Sequence, residues 1–334
     1  MSKMIKVLFL IFIVLFLIFV YYFFIAKAKK QEKITWGVNF SRMHSGNLKL
    51  DWKKNYLAIL EDLGVKNIKL ITNWNFIEDK KDKYYFDDVD WQIGQAKKYG
   101  AKLIYVVGMK TGRWPECHLP DWAKHLSKQE QQVQILEYIR EVVLRYKSQE
   151  SIIAWQAENE PLFRFGICPW YDKNFLKKEV ELIKSIDQTR PVIISDSGEQ
   201  SLWIEAAKIG DIVGTTMYRT VWVHITDKYG FYFTFPLPPV SYWTKAWFIN
   251  KFFGKMVINV EIQAEPWVYD VFGDIPLREQ EKTMNLDQFR KNIIYAKQTG
   301  FDQFYLWGAE WWYWMKETQN RPEIWEETKK LFSE

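Results

Sequence analysis

The chain alternates two kinds of segment. One is helix-like, with apolar residues recurring every three or four positions. The other is a short apolar run rich in β-branched residues. A glycine sits between them in "LEDLGVKNIKLIT", "AKKYGAKLIYVV" and "AKQTGFDQFYLW". Gly64, Gly100 and Gly300 stand where a helix ends and a positive φ is needed. This repeating unit predicts parallel strands joined by helical crossovers. Eight runs qualify as strands: Thr35–Asn39, Asn67–Thr72, Lys102–Val107, Ile152–Gln156, Val192–Asp196, Ile212–Met217, Met256–Glu261 and Gln303–Trp307. Eight closes a (β/α)8 TIM barrel. An open doubly wound sheet is disfavoured, because "SRMHSGN" follows the first run where a glycine-rich phosphate loop would stand.

The helical segments carry matching signals. Tyr56, Ile59, Leu60 and Leu63 form one apolar face. "SKQE" at Ser127–Glu130 is a capping box, followed by a stripe of Leu136, Ile139, Val143 and Tyr146. Residues 219–250 break the pattern. They are too long and too aromatic for a plain loop, and we expect a hairpin overhanging the barrel mouth.

The N-terminus is different in kind. Val7 to Ala26 is an unbroken apolar run of twenty residues, long enough for a transmembrane helix. It divides the chain into a membrane anchor or signal segment with a charged linker, 1–33, and a body, 34–334. "AKA" at 26–28 resembles a cleavage site. Lysines cluster after the run, which by the positive-inside rule argues for a cytoplasmic body. An export signal ahead of a large domain argues the reverse. We favour export with an uncleaved, single-pass anchor in the cell membrane.

Composition narrows the function. Of 46 basic and 41 acidic residues, six lysines and one glutamate lie in 1–33, leaving the body with 40 of each. A neutral body offers no basic face for nucleic acid. Its two cysteines, Cys117 and Cys168, are too few for a disulfide framework or a four-ligand zinc site. They either pair in an oxidising compartment or remain buried thiols. Aromatic residues reach 18%, with 18 tryptophans, enough for a large core and for faces that stack on sugar rings.

In a parallel barrel the site lies at the C-terminal strand ends. There the sequence places Glu158, Asn159 and Glu160 after the fourth run. Glu261, then Glu265, follow the seventh, and Trp307 and Glu310 the eighth. Trp114, Glu116 and His118 follow the third, Asn73 and Trp74 the second, and Tyr218 the sixth. Carboxyl groups gathered at one mouth repel each other and lose hydration, which separates their pKa values. Glycoside hydrolysis needs such an unequal pair, one protonated and one ionised. His118 reads first as a structural histidine, while Trp307 reads equally as barrel core and Tyr218 as packing.

These residues together resemble the clan A glycoside hydrolases, the barrels that include cellulase-like family 5 and β-galactosidase-like family 42. The resemblance spans residues 35–332. It implies a retaining β-glycoside hydrolase that acts on a carbohydrate without metal or cofactor. Glu160 in "NEP" would be the acid/base and Glu261 in "GKMVINVE" the nucleophile. Asn159 would bind the sugar 2-hydroxyl, Tyr218 the nucleophile, and Trp307 would floor the sugar site. Trp74, Trp114, Glu116, His118, Glu265 and Glu310 would line the cleft. Two positions depart from the pattern. Lys69 stands on strand two, where many members have arginine, and "IQAEPW" follows the nucleophile, making Glu265 a rival for that role. The alternatives are a sugar-binding barrel without turnover and a transglycosylase using the same pair.

Overall fold

A strand covered by helices on one side and packed against other strands on the other needs apolar residues on both faces. The short β-branched runs meet that requirement, and each becomes a strand. The computed structural model describes residues 3–226, 229–269 and 275–333. In chain order the strands are β1 (Thr35–Ser41), β2 (Asn67–Ile71), β3 (Lys102–Val107), β4 (Ile152–Ala157), β5 (Val192–Asp196), β6 (Ile212–Met217), β7 (Thr220–His224), β8 (Gly230–Thr234), β9 (Met256–Gln263) and β10 (Gln303–Trp307). All but β7 and β8 form a closed parallel barrel, β1-β2-β3-β4-β5-β6-β9-β10, with β10 returning to β1. The barrel agrees with the sequence expectation. Four strand boundaries coincide with it and four differ by one or two residues at the C-terminal end, where polar residues blur the apolar run.

Ile104, Ala154, Ile193, Ile258, Val260 and Tyr305 pack the barrel interior. A larger core lies between barrel and helices. The three expected helix-ending glycines have φ of 68°, 67° and 78°. The capping box at Ser127 forms, with Ser127 N–H donating to Glu130 at 2.8 Å. The buried stripe of that helix is broader than predicted, running through Ile135, Tyr138, Ile139, Val142, Val143 and Tyr146, with Leu136 at its margin. Ile139, Val143 and Tyr146 keep their expected places, and Ile135, Tyr138 and Val142 join them.

The segment 219–250 resolves into two parts. β7 and β8 form the expected antiparallel hairpin. It is pinned at the rim by Gln263 at the end of β9, whose side-chain Oε1 accepts from the backbone N–H groups of Arg219 and Thr220 at 2.8 and 2.9 Å. The rest is an ordinary crossover helix, Pro239–Phe253, so the irregular excursion is shorter than its aromatic composition suggested. At the N-terminus, Met4–Ile25 is helical, exposed, and long and apolar enough to cross a membrane.

Candidate active site

The site grows from a turn at the end of β4. Glu158 and Glu160 take left-handed φ values of 57° and 44°, which are unfavourable for residues with a Cβ. Backbone hydrogen bonds hold the turn: Glu158 N–H to Val107 at 2.8 Å, and Asn159 N–H to Lys110 at 2.5 Å. Glu160 N–H donates to the Ser195 hydroxyl at 2.8 Å. The Gln156 amide beneath donates to the Glu158 carbonyl at 2.9 Å and to Asn159 Oδ1 at 3.1 Å. The two glutamates are thereby sent to different places.

Glu160 points across the barrel mouth, where its Oε1 accepts from the Thr216 hydroxyl at 3.0 Å. Thr216 is the register partner of Glu261 on β9. Neighbouring strands lie about 4.8 Å apart, so both carboxyls belong to one cleft. Glu261 accepts from Lys69 Nζ and from the Tyr218 hydroxyl, each at 2.7 Å. Lys69 also donates to Asn159 Oδ1 at 2.9 Å, tying the residue before Glu160 to Glu261. Burial pushes the Glu160 carboxyl well above the usual range. The charges of Glu261 and Glu116 push it further, while Lys110 and the Thr216 hydrogen bond pull it back. A carboxyl with this bias suits a proton donor. A carboxylate that accepts from both an ammonium and a phenol suits an ionised partner.

A second charged group stands beside the first. Arg113, from the loop after β3, reaches Glu265 and, at 3.0 Å, Glu310. Glu310 also accepts from Ser41 N–H, and His44 lies 3.4 Å from Glu265. Burial would raise the Glu265 pKa, but Arg113 and then His44 outweigh it and hold the carboxylate down at about 2. This fixes Glu265 and Glu310 as anchors for Arg113. The Arg113 guanidinium lies over the Trp307 ring, 4.1 Å from its centroid. Glu116 is buried, and desolvation lifts its carboxyl to about 7, with Lys110 opposing and Glu261 reinforcing the rise.

The remaining expected residues divide. Trp114 is exposed at the rim, 6.2 Å from the Phe165 ring. Phe165 continues to Trp267, and Trp267 to Tyr218 at 4.9 Å, forming an aromatic wall. Trp74 does not reach the cleft. It is fully buried against Trp122 and Tyr138, with its indole N–H on Glu78 at 2.7 Å, because the chain turns into a short helix there. His118 is also interior, its Nε2 2.9 Å from the Gly112 carbonyl oxygen, where it braces the β3 loop. Cys117 and Cys168 form a disulfide that joins this loop to the one after β4. Lys110 adds a second tie, donating to the carbonyls of Glu160 and Phe163 at 2.9 and 2.8 Å.

Sequence reasoning passed over Arg113, Thr216 and Trp267, and took Lys69 only as a departure from the family pattern. Lys69 had a visible signal, as a lone charge inside a run buried on both faces. Arg113 and Trp267 lie in loops, outside any repeat. Among the described residues, no group of three or more His, Cys, Asp or Glu side chains is placed to hold a metal ion.

Residues 92–229 match the family model "Glycosyl hydrolases family 2, TIM barrel domain". No curated protein matches the chain. Among solved structures, the cold-adapted β-galactosidase from Rahnella sp. R3 superposes with a TM-score of 0.60 at 11% identity, covering 92% of this chain and 57% of that one. Native xylanase 10B from Thermotoga maritima gives 0.58 at 14% identity, covering 89% and 95%. The GH5_18 protein from Streptomyces cattleya, solved in complex with GlcNAc, gives 0.54 at 11%, covering 84% and 71%. At these identities the likeness is one of fold, and the chain spans little more than half of the β-galactosidase.

Proposed function

We propose that this clan A glycoside hydrolase barrel is a retaining β-glycosidase acting on a β-linked oligo- or polysaccharide. The observation that carries the reading is the meeting of Glu160 and Glu261 at Thr216, which donates to Glu160 and is the register partner of Glu261, with Glu160 lifted by burial and Glu261 held by Lys69. Glu261 attacks the anomeric carbon as the glycosidic C–O bond breaks, and Glu160 gives its proton to the departing oxygen. Water then attacks the same carbon. Its proton returns to Glu160, the ester bond to Glu261 breaks, and configuration is retained.

Asn159 and Tyr218 orient sugar and nucleophile, Trp307 floors the site, and Trp114 and Glu116 line the approach. Lys69 takes the place on β2 where an arginine was expected. Residues 1–33 serve as anchor and linker and 34–334 as the catalytic domain, held outside the cytoplasm. The disulfide supports an oxidising compartment. The test is a panel of aryl β-glycosides and β-linked oligosaccharides offered to the full chain in detergent, with Glu261→Gln in parallel. The reading expects parent turnover on at least one substrate and its loss in the variant. Equal rates for parent and variant would refute it.

A further inference from the structure

The apolar N-terminal helix is not a free tether. The carbonyl of Tyr22, three residues before that helix ends, accepts from the Thr244 hydroxyl at 2.6 Å. The linker stays on the same side of the body. A Cβ placed on Gly300 would lie 3.0 Å from Ala28 and 3.0 Å from Trp243, so the three positions meet. Gln31 donates to the Gly300 carbonyl at 2.8 Å. Read as an uncleaved anchor, the helix therefore places Thr244 at the edge of the bilayer.

Thr244 begins a stripe on helix Pro239–Phe253. At helical spacing it continues through Trp247, Phe248, Lys251 and Phe252, and Met256 follows just past the helix. Trp247, Phe252 and Met256 are 51%, 64% and 51% exposed. Large apolar side chains on a soluble surface are normally scattered singly. Here they are contiguous and interleaved with Lys251 and Lys255. Tryptophan with lysine is the composition of a membrane–water interface. The indole sits at headgroup level, and each ammonium is drawn to anionic lipid.

We propose that this face of the barrel rests on the membrane surface beside the anchor, with Trp247, Phe248, Phe252 and Met256 among the lipid headgroups and the lysines on anionic lipid. The enzyme is then held in one orientation instead of swinging on its linker. The inference rests on the anchor reading of residues 1–33.

The native cysteines are bonded to each other, so an introduced cysteine takes a spin label selectively. The full chain is labelled at Phe252→Cys, at Phe12→Cys within the span, and at Val133→Cys, exposed on helix Lys128–Tyr146. Each variant is reconstituted at high dilution in phosphatidylcholine–phosphatidylglycerol vesicles. Accessibility to oxygen and to an aqueous nickel chelate is then compared. We expect the labels at 12 and 252 to favour oxygen and the label at 133 to favour nickel. A label at 252 that behaves like 133 while 12 favours oxygen overturns the docking and spares the anchor. A label at 12 that favours nickel overturns both. Dipolar broadening at 252 shows that a second copy covers the face, and this also overturns the proposal.

Discussion

Replacing Glu160 with glutamine tests the assignment of the proton donor at one atom. The amide oxygen can still accept from Thr216, now at 3.0 Å from the carboxyl, so the turn keeps its tie to β6. What is lost is the proton. General acid catalysis of this kind is worth about 10²–10⁴ in rate. That loss should fall on substrates whose leaving group needs protonation, such as alkyl β-glycosides. Activated dinitrophenyl glycosides should lose far less at the first step, and added azide should restore turnover at the second. Stability should move the other way. Burial and neighbouring carboxyls raise the Glu160 pKa in the folded state, so its favourable contribution is complete below the unfolded value and declines as pH rises through the folded one. Glutamine does not ionise, so the variant should unfold at equal or higher denaturant than the parent above pH 7. The assay is kcat/KM on the paired substrates with and without azide, beside urea titrations at pH 5 and pH 8. An equal loss on both leaving groups, with no rescue by azide, would refute the acid/base role.

Four further outcomes follow from the same geometry. Lys69→Met removes a charge-assisted hydrogen bond worth about 1.5–3 kcal/mol, so kcat should fall roughly 10- to 100-fold in protein that still folds by circular dichroism. The disulfide closes a loop of 51 residues, and the chain-entropy relation gives about 4 kcal/mol for it, so reducing agent should lower the thermal midpoint by several degrees. Glu179 is buried with no hydrogen-bond partner, and burial, then the charge of Glu158, raises its pKa; parent stability should decline as pH rises through neutrality, and Glu179→Gln should flatten that decline in urea titrations. Arg113→Met leaves Glu265 and Glu310 without their cation, a change expected to cost about 3–5 kcal/mol, read as a lower urea midpoint near pH 7.

The barrel was legible because its signal is periodic. Eight apolar runs and the glycines behind them repeat, and a closed parallel sheet is the arrangement that buries such runs on both faces. The placement of Glu160, Glu261, Tyr218 and Trp307 at strand ends followed from the same periodicity. Loops carry no period, so what they do was hidden. Trp74 stands three residues after β2, as Tyr218 stands just after β6, yet a single helical turn sends it inward to Tyr138. Glu265 and Glu310 looked like two more free carboxylates. Only the fold brings Arg113 from another loop between them. Lys69 looked like a weak replacement for arginine, but its reach to both Glu261 and Asn159 depends on the inward pleat of β2. The cysteines lie 51 positions apart in sequence, and only the return of the β4 loop beside the β3 loop joins them.

The most direct test of the central claim is to trap the glycosyl-enzyme ester. A 2-deoxy-2-fluoro β-glycoside with an activated leaving group slows the second step more than the first. Intact mass should rise by one fluorosugar, and peptide mapping should place it on Glu261. A label on Glu265 or Glu158 would contradict the account, and so would turnover of the parent substrate to an inverted first product with no label at all.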